Sequence, residues 1–143
     1  MPRPEHAAGA GALACLATAV AVAVPYILLA DAAVVPRYYG LGLVGPLAVA
    51  LLALVGFVAF AAGARERSDP SLVAGLVLVA GVASLAVAVQ WALAFDGATL
   101  GTGPATYGFF DVHRWVVVAG TAVWTLAAGW YAASLGLLGS GPE

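Results

Sequence analysis

The sequence predicts an all-α fold: an integral membrane four-helix bundle, up-down-up-down with short loops, in a single domain over residues 1–143. Three observations predict it. Four apolar runs, 7–30, 41–63, 72–95 and 115–138, contain no Asp, Glu, Lys, Arg or His. At ~1.5 Å rise per residue, a run of 23 residues spans about 34 Å, enough for a ~30 Å hydrocarbon core. The whole chain is 64% hydrophobic and 8% charged, with a mean hydropathy of +1.04, against about 25% charged residues in soluble domains. Finally, the residues outside the runs are scattered over two tails and three connections, too few to bury a separate core.

Span 1 follows Arg3-Pro4-Glu5-His6 and covers about 7–30. It exceeds the ~7–15-residue apolar core of a cleaved signal peptide. We expect it to be retained, although Gly11-Ala12-Leu13-Ala14-Cys15 faintly resembles a lipoprotein cleavage box. Pro25 removes one backbone donor and is expected to bend the outer third of the span. The connection from Asp31 to Gly40 carries paired Tyr38 and Tyr39, aromatics suited to the headgroup level.

Span 2, about 41–63, takes Pro46 in its first turns. In the polar turn that follows, Asp69 is the expected N-cap and Pro70 the expected first residue of span 3, about 72–95. The Gly- and Thr-rich connection from Asp96 to Phe110 leads to Asp111, the expected cap of span 4, about 112–138. His113 and Arg114 then fall in an interfacial first turn. Arg3, Arg65 and Arg67 lie on one side of the membrane against Arg37 and Arg114 on the other. By the positive-inside rule, that places both termini of this multi-pass cell-membrane protein in the cytoplasm.

Helices in lipid associate through close packing of small residues. At about 100° per residue, Ala80, Gly81, Ser84, Ala88 and Trp91 share one face of span 3, and Leu78, Val82, Leu85, Val89 and Leu93 share the opposite, lipid-facing one. Span 4 carries a small-residue stripe of Thr121, Thr125, Ala128, Ala132 and Gly136, with Trp130 on the lipid side. Span 1 is rich in Ala and Gly on all sides. It is read either as the buried helix or as an interface to another protein.

Two groups of side chains are candidate sites. On the outer side, Asp31, Arg37, Tyr38, Asp96, Asp111, His113 and Arg114 form a candidate polar cluster, with Tyr39 and Tyr107 nearby. Asp111 and His113 are of the residue types that work as an acid–base pair or bind a metal. The plainer reading makes Asp111 a cap, pairs Arg37 and Arg114 with carboxylates, and uses the aromatics as anchors. Within the membrane, Gln90, Ser84, Thr121 and Thr125 form the second group, lining a permeation path or bonding between helices.

No cofactor is expected. Haem held between spans needs intramembrane histidines, and the runs contain none. Cys15, the single cysteine, excludes an intramolecular disulfide and reads as a small packing residue. A net charge of −2 argues against nucleic acid as a partner. Charge-free spans lack what pumps, voltage sensors and ion-coupled carriers place there.

Arg3-Pro4-Glu5-His6, Pro25-Tyr26 with Tyr38-Tyr39, Arg65-Glu66-Arg67-Ser68-Asp69-Pro70 and His113-Arg114-Trp115 resemble a family of short, four-span haloarchaeal membrane proteins of unknown function. The resemblance covers nearly the whole chain. It implies a halophilic host and a topology, and no chemistry. The absence of Lys among the five basic residues agrees with such a host.

The sequence therefore points first to a non-catalytic accessory, assembly or scaffold subunit. Its expected partners are the lipid bilayer and itself or another membrane protein. The alternative is a channel or carrier for a small neutral solute, lined by Gln90 and the span-4 threonines. An enzyme built around Asp111 and His113 is a third class.

Overall fold

The computed structural model describes residues 3–28, 33–95 and 104–138, the side chains of 104–107 excepted. These residues form α1 (Pro4–Leu28), a short α2 (Val34–Tyr39), α3 (Pro46–Ala64), α4 (Pro70–Leu93) and α5 (Pro104–Ser134), with no strand among them. All but α2 contain a stretch long and apolar enough to cross a membrane. The fold is an all-α four-helix bundle with α2 added at one end. α1 packs on α3, α3 on α4, α4 on α5, and α5 returns to α1.

Successive long helices run antiparallel. Gly11, early in α1, meets Phe60 late in α3, while Cys15 meets Gly56 one turn earlier in α3. The small residues sit where backbones approach closest. A Cβ on Gly56 would stand 2.9 Å from Cys15 Sγ, one on Gly81 2.8 Å from Thr125 Oγ1, and one on Gly120 2.7 Å from Thr18 Oγ1. Without a hydrophobic driving force between helices in lipid, this fit holds the bundle together.

The predicted inward faces of spans 3 and 4 are the observed ones except at Thr125, which is half-buried, and Gly136, which is exposed. Of the predicted lipid face of span 3, Leu78, Leu85 and Val89 are half-buried, Leu78 against the core. Ala80, Gly81, Ser84, Ala88 and Trp91 are buried, as are Thr121, Ala128 and Ala132, whereas Val82, Leu93 and Trp130 are exposed. α1 is not buried all round. Ala8, Ala12, Cys15, Thr18, Val22 and Pro25 face inward at helical spacing, and Leu13, Leu16, Val20 and Ile27 face out.

Prolines set the helix starts, and two differ from expectation. Span 2 begins at Pro46 rather than near 41, because Gly45 before it is extended (φ −85°, ψ 169°), as a residue preceding proline prefers. Likewise α5 opens at Pro104 rather than 112. Asp111 therefore lies two turns inside the helix and caps nothing. Asp69 does cap α4, its carboxylate accepting from the Ser71 N–H at 2.9 Å.

The C-termini of α3 and α5 are closed by paired bonds back into the last turn. In α3 the N–H groups of Glu66 and Arg67 donate to Gly63 and Ala62; in α5 those of Gly136 and Leu137 donate to Ala133 and Ala132. Each closure needs a left-handed residue, which is Gly136 (φ 75°) in one and Glu66 (φ 55°) in the other. Gly136 thus belongs to the cap of α5, not to its packing stripe.

Candidate functional site

The candidate site lies beneath α2. Val34, Val35, Tyr38 and Tyr39 are spaced so that all four point to one side of this short helix, and all are buried. The tyrosines expected at the headgroup level are thus core residues, Tyr38 being 0% exposed. Tyr38 stacks on Phe110 at 3.8 Å between ring centroids, with Trp91 at 5.0 Å and Tyr39 at 5.3 Å. The Trp91 indole N–H donates to the Tyr38 carbonyl at 3.0 Å, and the Tyr39 hydroxyl donates to the Val22 carbonyl. These bonds tie α2 to α1 and α4.

His113 of α5, 6% exposed, joins this cluster. Its Nε2 lies 2.7 Å from the carbonyl oxygen of Ala21 and its Nδ1 3.0 Å from the Tyr38 hydroxyl. Ala21 is four residues before Pro25, so its carbonyl lacks the backbone donor that a helix would otherwise supply. The imidazole supplies the missing donor. Because a carbonyl only accepts, Nε2 carries a proton, and in the neutral imidazole Nδ1 is then the acceptor facing the Tyr38 hydroxyl. The Phe110 carbonyl, 3.2 Å from that hydroxyl, shares the same single hydrogen with Nδ1. Phe109 covers one face of the imidazole, 5.5 Å away and inclined by 11°. An open apolar hollow of about 300 Å³ lies alongside, lined by Ala21, Val24, Phe109 and Val112.

Arg114, one residue on, joins α5 to the end of α4. It donates to the Ala92 carbonyl at 2.7 Å and to Asp111 Oδ1 at 2.8 Å, and lies 4.4 Å from the centre of the Phe95 ring. A cation at the C-terminal end of α4 also meets the negative end of the helix dipole. Burial, and then the neighbouring Tyr39, push the Tyr38 phenol above its ordinary range; burial and Tyr26 do the same for Tyr39.

The structure gathers Tyr38, Asp111, His113 and Arg114 of the expected polar cluster. Arg37 is exposed and has no ion pair with a described carboxylate, and Asp31 and Asp96 lie outside the described residues. The side chain of Tyr107 also lies outside them. The sequence reading missed Trp91 and Phe110 as members of this site and the relation between Pro25 and His113. The available signal was Pro25 itself, which leaves an orphan carbonyl inside a span.

The intramembrane group behaves differently. Gln90 serves the 41–45 connection: its Oε1 accepts from the Leu43 N–H at 3.0 Å, and its Nε2 donates to Val44 and Val87 carbonyls. Gly42 (φ 76°) makes this approach possible, since a Cβ there would stand 2.6 Å from Gln90 Oε1. Thr121 and Thr125 donate to carbonyls of their own helix at 2.8 and 2.7 Å. Ser84 Oγ and Trp124 Nε1 are buried and make no hydrogen bond to a described residue.

A model of a family of unknown function, DUF7548, matches residues 1–136. The chain belongs to that family. No curated protein and no solved structure matches it. The DUF7548 match takes in all four apolar helices and every residue of the aromatic–histidine site.

Proposed function

We propose that this DUF7548 protein is a non-catalytic, multi-pass accessory or assembly subunit that associates with itself or with a larger membrane complex. The observation that carries the reading is where its polar atoms are engaged. His113, Arg114 and Gln90 serve backbone carbonyls and connections, and Thr18, Thr121 and Thr125 bond within their own helices. Little of that chemistry is turned toward a solute, which favours this reading over a channel lined by Gln90 and the threonines.

The outer faces are correspondingly apolar. An open hollow of about 520 Å³ runs between α3 and α4 and is lined by Leu51, Leu54, Val55, Val58, Leu72 and Leu76. We place both termini in the cytoplasm, on the arginine count, in a halophilic host.

Native mass spectrometry after gentle extraction tests the reading. A stoichiometric second polypeptide or homo-oligomer that dissociates in Val58→Trp and Leu76→Trp supports it. A monomer whose liposomes conduct a neutral solute, with flux abolished by Gln90→Leu, replaces it with the channel reading.

A further inference from the structure

We propose that Tyr38 is a redox-active side chain, giving one electron to an outer-sphere one-electron oxidant while its phenolic proton passes to His113 Nδ1. The chemistry sets two requirements, and the site meets both. A phenol that loses an electron becomes a strong acid, so a buried one needs a base already in hydrogen-bond contact. Nδ1 is 3.0 Å from the hydroxyl, within the reach a proton acceptor requires. The bond from Nε2 to Ala21, at 2.7 Å, fixes the tautomer that leaves Nδ1 unprotonated. Pro25 therefore helps to set the base, by leaving the Ala21 carbonyl open to Nε2.

The electron also needs a way out. Tyr39 and Trp91 lie 5.3 and 5.0 Å from the Tyr38 ring, and Tyr39 lies 5.7 Å from Tyr26, whose side chain is 49% exposed. Rings in such contact connect Tyr38 to the surface. The oxidised species settles on Tyr38 rather than Tyr39, because the Tyr39 hydroxyl faces only the Val22 carbonyl, which is no base.

The step balances: the O–H bond of Tyr38 breaks, its proton forms an N–H bond at Nδ1, and its electron reduces the oxidant. Neutral phenoxyl and imidazolium remain, the latter still donating to Ala21. The reverse step needs only an electron.

The test is flash photolysis of the purified protein in nanodiscs with photogenerated tris(bipyridyl)ruthenium(III), read by transient absorption and electron paramagnetic resonance. A neutral tyrosyl signal is expected, absent in Tyr38→Phe. In His113→Gln, which keeps an N–H for the Ala21 carbonyl but has no base, the signal should form about 100-fold more slowly, the low end of what a positioned base contributes.

A purely structural histidine would change the melting temperature and not this rate. Survival of the signal in Tyr38→Phe, or a wild-type rate in His113→Gln, overturns the proposal. If His113→Gln does not fold, Pro25→Ala combined with His113→Phe restores a backbone donor to Ala21 and is judged by the same rate.

Discussion

Pro25 in α1 and His113 in α5 are complementary: the backbone donor that the proline takes from the Ala21 carbonyl is returned by the imidazole at 2.7 Å. Neighbouring helices commonly make a proline tolerable inside a membrane span in this way. Here the donor comes from the facing, antiparallel helix and also holds Tyr38, so one side chain joins α1, α2 and α5.

His113→Phe should therefore destabilise the bundle by about 1–3 kcal/mol, since it orphans the buried Ala21 carbonyl, while the Tyr38 hydroxyl keeps the Phe110 carbonyl as its acceptor. In the Pro25→Ala background the same substitution should cost at least about 1 kcal/mol less, because an alanine at that position supplies its own backbone N–H. A double-mutant cycle from chaotrope unfolding in detergent measures the coupling. Additive effects would show that the two residues act separately.

Arg114 and Asp111 should not contribute equally. Their ion pair spans 2.8 Å, but the Asp111 side chain is nearly half exposed, and such pairs contribute about 0–1 kcal/mol. Asp111→Asn is expected within that range. Arg114→Leu also loses the charge-assisted bond to Ala92 and the contact with the Phe95 ring, and should cost about 2–3 kcal/mol. Thermal melting of the two variants separates the contributions, and equal losses would contradict this assignment.

The topology was legible because hydrophobic length and small-residue spacing are local properties of the chain. Ala80, Gly81, Ser84 and Ala88 announce their face through periodicity alone. The site was less legible. Tyr38 and Tyr39 sit between two spans in sequence, where aromatics ordinarily mark the headgroup level, and only the docking of α2 makes them core residues. By sequence alone His113 belongs to an interfacial first turn, because Asp111 reads as a cap. The earlier start at Pro104 moves both inside the helix. Gln90 was visible as a polar residue within a span, but its partners Leu43 and Val44 depend on the left-handed turn at Gly42.

Glycines in the helices divide into two groups. A Cβ at Gly81 would stand 2.8 Å from Thr125 Oγ1 and 3.2 Å from Thr125 Cα, so relief requires moving the α5 backbone. Gly81→Ala is expected to destabilise by about 1–3 kcal/mol through overpacking. Gly75, in the same helix, has nothing within 4 Å of its would-be Cβ. Gly75→Ala should stabilise by about 0.5–1 kcal/mol through helix propensity. Opposite signs in thermal unfolding are expected; matching signs would show that the α4–α5 contact is looser than this spacing requires.

The cap of α3 makes a further test. Glu66 holds a left-handed conformation at φ 55°, where a side chain costs about 1–2 kcal/mol. Glu66→Gly should raise stability by up to about 1 kcal/mol, and Glu66→Val should lower it. The comparison uses two variants of one exposed position, so lost packing does not confound it.

High pH should act on the α2 end. Folding holds the Tyr38 and Tyr39 phenols above their ordinary value of 10, with burial as the main cause. Below pH 10 both phenols are protonated whether the chain is folded or not, and their contribution to stability is fully present. Above pH 10 the unfolded chain releases protons that the folded chain keeps, so stability falls as pH rises toward the folded-state values. The slope is at most about 1.4 kcal/mol per pH unit for each tyrosine. Tyr38→Phe and Tyr39→Phe should each flatten the fall by one such contribution, whatever their effect at neutral pH. Denaturation in detergent at a series of pH values, with ionisation followed by phenolate absorbance, measures both. An alkaline fall of full slope in the double variant would place its origin outside α2.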